Sequence, residues 1–159
     1  MAGKKRKKAM FISSIGGHLT QLLQLKPLFE TYDYHIVTER SSITEEFKKD
    51  HPTSLLVYGA RNYLFSYLFK FSYNCIKSFF IFLKERPDVV ITTGAHTAVP
   101  MCYIAKLFGK KVIFIESFAK TTTPTLSGRM VYPIADLFIV QWETMKEVYP
   151  KAVYGGSIY

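Results

Sequence analysis

Short apolar segments alternate with helical patterns along the whole chain, and this alternation limits the fold more than any other feature. Strands are predicted at residues 9–15, 34–38, 54–58, 88–91, 112–115 and 137–140, and helices at 19–30, 41–49, 63–84, 98–108, 126–134 and 143–148. Strands that are apolar throughout are typical of a parallel sheet covered by helices on both faces. The sequence therefore predicts one α/β domain over residues 9–159, preceded by a basic tail of residues 1–8.

Three polar loops follow predicted strands, at residues 13–20, 92–100 and 116–127. In open parallel sheets, ligands bind in the crevice outside the carboxyl ends of the strands. Because all three loops are expected at that edge, we predict that they line one binding crevice. Their agreement is the strongest functional indication in the residues themselves.

The first loop contains two adjacent glycines, Gly16 and Gly17, followed by His18. The glycines allow a ligand to approach the backbone closely, with Ser14 and Thr20 on either side. The loop lacks the third glycine and the acidic residue of the dinucleotide fingerprint, and it lacks the Gly-Lys-Ser/Thr ending of a P-loop. A tight turn that carries a surface histidine is the alternative interpretation.

The second loop is short and polar and precedes a predicted helix. Gly94, His96 and Thr97 are its candidate binding residues. The alternative is an ordinary helix cap made by Thr93 or Thr97. The sequence leaves both interpretations open.

The third loop begins with Glu116 and Ser117, directly after a predicted buried strand. We expect Glu116 to be the only carboxylate at a strand's carboxyl end in this part of the crevice. A partly buried glutamate there could act as a base or orient a sugar hydroxyl. The alternative is a structural carboxylate that holds the loop at residues 121–123.

The predicted helix at 63–84 is apolar nearly all the way round. Lys70 and Lys77 interrupt it, and each would cost about 3 kcal/mol at a bilayer centre, so we do not expect it to span a membrane. The apolar excess predicts contact with lipid or with a partner protein, through exposed aromatics such as Phe69 and Phe80. A well-buried core helix is the alternative.

The net charge of +9 is concentrated near the start of the chain. Five consecutive basic residues form one run, Lys4, Lys5, Arg6, Lys7 and Lys8. The run favours an anionic lipid surface, although a solvated tail would look the same. No nucleic-acid partner is predicted, because the aromatic residues cluster in one helix instead of alternating with basic residues along a groove.

The two cysteines, Cys75 and Cys102, have no CxxC spacing and are predicted to be buried, reduced thiols of a cytoplasmic protein. Only about eight apolar residues follow the basic run, so no secretory signal is predicted. We find no Asp-x-Asp pair and no His/Cys cluster with ligand spacing, so neither a metal nor a cofactor is expected.

Taken in order, the loop motifs resemble a known family. They are Gly16-Gly17-His18, then residues 88–94 with Pro100, then Ile115-Glu116-Ser117. This set is similar to the acceptor half of MurG-like glycosyltransferases of the two-domain GT-B class. It is more similar to the split form, in which that half is a separate membrane-associated protein. Examples are the Alg-fourteen type and the bacterial CpsF/EpsE-like subunits.

The resemblance runs from about residue 11 to residue 156 and implies a Rossmann-like fold equivalent to the N-terminal half of a GT-B enzyme. It implies that His18 lines the cleft between donor and acceptor and that Glu116 faces the lipid-linked acceptor. We expect the catalytic base to be His18 or Glu116. It also implies that Gly16 and Gly17 line the cleft and that the loop at residues 94–100 faces the acceptor. We expect acceptor contacts from the loop residues Ser14, Gly16, Gly17, Thr20, Gly94, His96, Thr97 and Ser117. The MurG pattern has a histidine and an asparagine where this chain has Ile115 and Phe118, so those two contacts do not carry over.

The leading hypothesis is therefore an acceptor-binding subunit, peripheral to the cytoplasmic face of a membrane. A GT-B second-domain-like partner would bind the UDP-sugar, and the acceptor would be a polyprenyl-linked saccharide. We expect no activity from the chain alone. The alternative is a non-catalytic membrane adaptor that recruits and stabilises the catalytic subunit. A free-standing nucleotide-binding oxidoreductase is disfavoured, because the dinucleotide fingerprint is missing.

Overall fold

A computed structural model describes residues 6–59 and 64–158 of the chain, without the side chains of residues 64–66. The strands are β1 Lys8–Ile12, β2 Asp33–Glu39, β3 Thr53–Leu56, β4 Val89–Thr92, β5 Lys111–Ile115, β6 Leu137–Val140 and β7 Val153–Tyr154. The helices are α1 Gly17–Leu23, α2 Pro27–Thr31, α3 Ser42–Phe47, α4 Leu64–Glu85, α5 Val99–Leu107 and α6 Leu126–Val131. Short 3-10 turns occupy His96–Ala98 and Glu143–Lys146.

Within the described residues, seven parallel strands form one sheet in the order β3-β2-β1-β4-β5-β6-β7. The chain builds outward from β1 to β3 and then returns to place β4 on the other side of β1. The neighbouring strands β1 and β4 therefore mark the point where the strand order reverses. The predicted parallel sheet is confirmed. The seventh strand was not predicted, because β7 has only two residues.

The sheet separates two hydrophobic clusters, which explains why its strands are apolar throughout. Met10 and Ile12 of β1 belong to one cluster, which includes residues of α4, α5 and α6. Ala9 and Phe11 point to the opposite face and pack with residues of α1 and α2. Successive side chains of a strand face opposite sides, so a sheet covered on both faces needs an apolar residue at every position.

Proline explains two differences between the predicted and observed helices. The predicted helix at 19–30 is two helices, because Pro27 has no backbone N–H and starts α2 instead of continuing α1. The predicted helix at 126–134 ends at Val131, just before Pro133. The first strand also ends earlier than predicted, at Ile12 instead of residue 15.

Helix α4 buries polar as well as apolar residues and exposes several of its aromatic residues. Asn74 is buried, and its amide accepts a hydrogen bond from the Val57 N–H and donates one to the Val57 carbonyl. Phe69 is 76% exposed and Phe80 is 63% exposed. The core-helix alternative is therefore wrong. Residue 63, included in the prediction, lies outside the described residues. No helix in the described part of the chain is long and apolar enough to cross a membrane.

The described part of the basic run, Arg6 to Lys8, lies at the amino ends of the strands. Lys4 and Lys5 lie outside the described residues, whereas Arg6 and Lys7 are exposed. Lys8 belongs to β1, and its Nζ lies 2.7 Å from the Glu85 carboxylate at the end of α4. The crevice loops lie at the opposite edge of the sheet, so these three residues and the crevice are separate parts of the surface.

The two cysteines differ in burial. Cys102 is fully buried in α5, and burial raises the pKa of its thiol to about 12. Cys75 of α4 is only partly buried, so its predicted burial is wrong, although desolvation still raises its pKa. Both are free thiols.

Candidate functional site

The candidate site lies where β1 and β4 end side by side. Ile12 and Thr92 are paired in register, so the loops that follow them start at the same height. This is the place at which open parallel sheets bind ligands. Gly16 has φ +79°, a conformation that favours glycine, and a Cβ added to Gly16 or Gly17 would meet no atom within 4 Å. The first loop therefore leaves open space beside its backbone.

His18 is fixed against the second loop by two hydrogen bonds. Its Nδ1 lies 2.8 Å from the Thr93 carbonyl oxygen, and the Thr93 hydroxyl donates to the His18 carbonyl at 2.7 Å. A carbonyl oxygen only accepts, so a neutral His18 carries its proton on Nδ1 and keeps Nε2 as a hydrogen-bond acceptor. His18 is thus part of the junction between two loops and not a freely exposed turn residue. Thr93 serves this junction instead of capping a helix.

Gly94 lies where the second loop packs against residues of the first and third loops. Its φ is +101°, and an added Cβ would lie 3.3 Å from Phe114, 3.5 Å from the Ser127 hydroxyl and 3.6 Å from His18 Cε1. Both the backbone conformation and the space therefore favour glycine at this position. Gly94 allows the second and third loops to pack directly against the histidine.

An open cavity of about 350 Å³ lies between these loops. It is lined by His18, Ala95, His96, Lys120, Pro124, Thr125, Leu126 and Ser127. The structure thus brings His18 and His96 to the same cavity, as predicted from the loop order. Lys120 was not predicted and adds a positive charge to the cavity lining.

Glu116 is held by its own loop and by Tyr149. It is 1% exposed, and its Oε1 accepts from the Ser117 N–H at 2.8 Å and from the Thr125 hydroxyl at 2.9 Å. Its Oε2 accepts from the Tyr149 hydroxyl at 2.8 Å and from the Thr125 N–H at 3.2 Å. These are the partners of a carboxylate that fixes a loop, which matches the structural alternative, with Thr125 as the anchor.

Tyr149 remains a proton donor to Glu116. Burial and the neighbouring negative charge of Glu116 both raise the pKa of the Tyr149 hydroxyl far above its ordinary value. Glu116 does not line the cavity, so its effect on that space passes through the loop that it holds. Ser117 is 8% exposed and contributes its backbone N–H to this network.

A second buried carboxylate, Glu39, was missed. It is 1% exposed at the carboxyl end of β2 and lies 3.7 Å from His96 Nε2. Its Oε1 accepts from the Thr97 hydroxyl at 2.8 Å, and its Oε2 accepts from the Ile15 N–H at 3.3 Å. The expectation that Glu116 is alone in this position is therefore wrong. The signal was present, because Glu39 directly follows the predicted strand at 34–38.

Thr97 connects Glu39 to the first loop. Its hydroxyl lies 2.9 Å from the hydroxyl of Ser14, which is 7% exposed. The cap interpretation of Thr97 is wrong, since the caps of the turn and of α5 make no side-chain bond. The predicted residue Thr20 is not part of this network. It is exposed on α1, and its hydroxyl bonds the Gly16 carbonyl at 3.3 Å.

Two buried glutamines that were not predicted tie the third loop to the rest of the crevice. Gln141 donates to the Glu116 carbonyl at 2.9 Å and to the Gln21 amide oxygen at 3.0 Å. Gln21 in turn accepts from the Phe118 N–H at 3.2 Å. Among residues 6–59 and 64–158, no group of three His, Cys, Asp or Glu residues is placed to hold a metal ion.

Solved structures share this fold at low sequence identity. MurG from Acinetobacter baumannii superposes with a TM-score of 0.70 at 16% identity, over 87% of this chain and 42% of that chain. A UDP-GlcNAc 2-epimerase from Methanocaldococcus jannaschii superposes with a TM-score of 0.68 at 18% identity, over 91% of this chain and 42% of that chain. The chain thus spans about two fifths of these proteins. They confirm the predicted Rossmann-like fold, equivalent to the N-terminal half of a GT-B enzyme.

Proteins of similar sequence identify the family, whereas the solved structures show only the fold. A mouse protein named UDP-N-acetylglucosamine transferase subunit ALG14 is 33% identical over 180 residues, covering 94% of this chain and 82% of its own length. Its Candida albicans counterpart is 41% identical over 92 residues, covering 54% of this chain and 42% of its own length. The family model described as "Oligosaccharide biosynthesis protein Alg14 like" matches residues 10–158. The chain therefore belongs to the Alg14-like family of oligosaccharide biosynthesis proteins.

Proposed function

We propose that this chain is the acceptor-binding, membrane-associated subunit of a two-component glycosyltransferase. The transferase would move N-acetylglucosamine from its UDP derivative to a polyprenyl-linked saccharide in oligosaccharide or polysaccharide synthesis. Membership in a family whose relatives are named UDP-N-acetylglucosamine transferase subunits supports the reaction. The observation that carries the acceptor role is the cavity at the β1–β4 junction, with His18 held in one orientation at its wall.

In the proposed reaction, a hydroxyl of the acceptor saccharide attacks the anomeric carbon of the donor sugar. The new bond joins the acceptor oxygen to that carbon, and the bond to the UDP oxygen breaks. His18 Nε2 takes the hydroxyl proton, and UDP leaves with the bonding electron pair. The Nδ1 contact with Thr93 supports this role because it directs the free lone pair to Nε2. We assign Glu116 a positioning role, since four donors already saturate its carboxylate.

The partner supplies the UDP-sugar site in this proposal. The word "subunit" in the names of the relatives supports a second component. We expect the purified chain to transfer no sugar by itself and to gain activity when a GT-B second-domain-like partner is added. Turnover of a UDP-sugar onto a lipid-linked acceptor by this chain alone would contradict the two-component proposal.

The role of His18 can be tested in the assembled pair. His18→Ala should lower kcat by about 100-fold, because general base catalysis contributes about that much or more. The control is His51→Ala, which removes an imidazole packed against Phe47 before β3, at the opposite edge of the sheet. Activity of His18→Ala within a few-fold of wild type, with partner binding intact, would favour the non-catalytic adaptor instead.

The exposed apolar face of α4 supports the membrane association. Its residues Phe69, Tyr73, Ile76, Phe80 and Leu83 recur at intervals of three or four and lie on one side of the helix. They are between 39% and 76% exposed. The end of α5 extends the same surface, where Phe108 meets Phe79 at a ring distance of 6.1 Å. Exposed aromatics beside basic residues are typical of helices that lie in the headgroup region.

Liposome binding tests this surface. We expect binding to anionic vesicles that weakens in high salt but persists, because each basic residue adds about 1 kcal/mol of screened attraction. Neutralising Lys4 to Lys8 should remove the salt-sensitive part, and Phe69→Ser or Phe80→Ser should remove the rest without unfolding. Phe82→Ser, at a 3% exposed core position of the same helix, should unfold the protein instead. If the wild-type protein does not bind vesicles, the exposed face of α4 is assigned to contact with the partner protein instead.

A further inference from the structure

A second open cavity lies between the carboxyl end of β3 and helix α4. Its volume is about 400 Å³, within the roughly 300–1,000 Å³ that is typical of ligand cavities. It is lined by Arg40, Leu55, Leu56, Val57, Tyr58, Tyr73 and Lys77. None of these residues lines the crevice cavity at the β1–β4 junction, so the β3–α4 cavity is a separate one.

Hydrogen bonds fix both walls of the β3–α4 cavity. The Arg40 N–H donates to the Leu56 carbonyl at 2.8 Å, which ties the residue after β2 to the end of β3. On the other wall, Asn74 of α4 is 5% exposed, and its amide accepts from the Val57 N–H and donates to the Val57 carbonyl. The backbone around the cavity is therefore held in place on both sides.

The described lining of this cavity carries two positive charges and no negative one. Lys77 makes no ion pair with any described residue, and its Nζ lies 5.7 Å from the centre of the Tyr73 ring, one helical turn away. Arg40 Nε lies 3.3 Å from Glu45 Oε1 in an exposed pair, which leaves the terminal NH₂ groups of the guanidinium as donors. The cavity therefore suits an anion, and phosphate oxygens bind strongly to guanidinium and ammonium groups.

The cavity opens beside the exposed apolar face of α4. Tyr73 belongs to both and is 52% exposed, and Phe69 and Ile76 lie about one turn before and after it on the helix. Tyr58, on the β3 side, is 48% exposed. Tyrosine and basic side chains beside an apolar surface are typical of the headgroup level of a membrane. A lipid whose phosphate enters the cavity can place its acyl chains against the apolar face, which a free phosphate cannot do.

We propose that the β3–α4 cavity binds the headgroup phosphate of an anionic bilayer phospholipid through Arg40 and Lys77. The inference rests on the proposed membrane association of α4 and adds a specific headgroup site to it. It also specifies how the domain is oriented. Arg40 directly follows Glu39, whose carboxylate lies 3.7 Å from His96 in the lining of the crevice cavity. A lipid bound at Arg40 therefore holds the crevice close to the membrane surface, where a lipid-linked acceptor would arrive.

The test is an NMR titration of the 159-residue chain with dihexanoyl phosphatidylglycerol, kept below the concentration at which it forms micelles. We expect the amide signals of Val57, Tyr58 and Lys77 to shift. Arg40→Gln and Lys77→Gln should each bind the lipid about tenfold more weakly, because each loses a charge-assisted hydrogen bond. The matched control is Lys84→Gln, which removes the same charge from an 82% exposed side chain of α4 outside the cavity. It should bind the lipid as wild type does.

Inorganic phosphate is the second probe and distinguishes a lipid from a free anion. We expect it to bind about tenfold or more weakly than the lipid, because it has no acyl chains to bury against the apolar face. Equal affinity for the two probes would overturn the assignment to a lipid. The inference is also overturned if the lipid shifts none of the cavity amides, or if Lys84→Gln weakens binding as much as Lys77→Gln does.

Monomeric lipid forms no bilayer surface, so this titration is independent of the vesicle experiment. Binding of the monomer at the cavity by a protein that does not bind vesicles would contradict the proposed membrane association and support the lipid site. Vesicle binding without any shift of the cavity amides would contradict the lipid site alone. Arg40 and Lys77 lie at the surface, so we expect unchanged urea midpoints for both variants, and weaker binding then reports the lost contact.

Discussion

Glu39 and Glu116 are equally buried at the same edge of the sheet, yet they are held in different ways. Each is 1% exposed at or just beyond the carboxyl end of its strand. The donors to Glu116 come from its own loop and from Tyr149 beneath it. The donors to Glu39 come from two loops that belong to different strands, at Ile15 and Thr97.

This difference shows that equal burial does not distinguish a carboxylate that holds one loop from one that joins two loops. The positions of its donors are more informative. A carboxylate bonded within one loop stabilises that loop, and its loss mainly lowers the free energy of unfolding. A carboxylate that bonds two loops across a strand junction fixes the distance between them, so its loss changes the site more than the stability.

The largest expected effect is on the stability of the Glu116 region. Gly128 of α6 packs so tightly that an added Cβ would overlap Glu116 Oε2 and lie 2.5 Å from the Tyr149 hydroxyl. Gly128→Ala should lower the free energy of unfolding by about 3 kcal/mol, because the buried network has no room to move. Urea denaturation of the variant and of wild type measures this difference in the free energy of unfolding.

Gly17→Ala, in the first crevice loop, is the control for the effect of a glycine-to-alanine change on stability. Gly17 begins α1, and an added Cβ would meet nothing within 4 Å. The substitution should be neutral or stabilise the protein by up to about 1 kcal/mol, because alanine favours the helix. A Gly128→Ala variant as stable as Gly17→Ala would show that the Glu116 network is loosely packed.

Substitution of two threonines should have effects of intermediate size, and each substitution tests one of the two carboxylates. Thr125 donates to Glu116 and caps α6 through the Gly128 N–H, so Thr125→Val should cost about 2 kcal/mol of stability. Thr97→Val breaks the link between Glu39 and Ser14, and we expect about tenfold lower activity of the pair per folded molecule. The comparison fails if Thr125→Val lowers activity per folded molecule as much as Thr97→Val does.

The smallest expected effect depends on pH. Tyr149→Phe removes one donor to Glu116 and should cost about 1 kcal/mol at pH 8. The folded protein holds the Tyr149 proton above the ordinary pKa of about 10, whereas the unfolded chain releases it. Wild-type stability should therefore fall as pH rises past about 10, and its advantage over Tyr149→Phe should shrink. A difference in stability between wild type and Tyr149→Phe that stays constant from pH 8 to 11 would contradict this expected pH dependence.

The fold was largely predictable because it follows from local patterns. Continuous apolar strands require a sheet buried on both faces, and the structure alternates Met10 and Phe11 between two clusters accordingly. The errors lie where local signals compete. Pro27 interrupts a leucine pattern that would otherwise continue as one helix, and β7 is too short to produce an apolar run.

The sequence was enough to predict which loops line the cavity, but not which side chains within them are joined by hydrogen bonds. The order of the motifs brought His18 and His96 to one cavity. The sequence could not show that Glu116 is saturated by Thr125 and Tyr149, because those donors are 9 and 33 residues away. Glu39 was missed for a similar reason, since its partner Thr97 is 58 residues away. Such pairings depend on the strand order, which periodicity does not reveal.

That strand order also determines when the crevice can form during synthesis. Strands β1, β2 and β3 can pair as soon as they leave the ribosome, but β1 keeps one unpaired edge until β4 arrives. The register joins Ala9 to Val89, and His18 bonds Thr93, 75 residues away. Until then, that edge presents free N–H and C=O groups, and α4 has no β4 beside it. Nascent chains that pause before Thr92 therefore expose an edge prone to aggregation, and the binding site is completed only after this vulnerable interval.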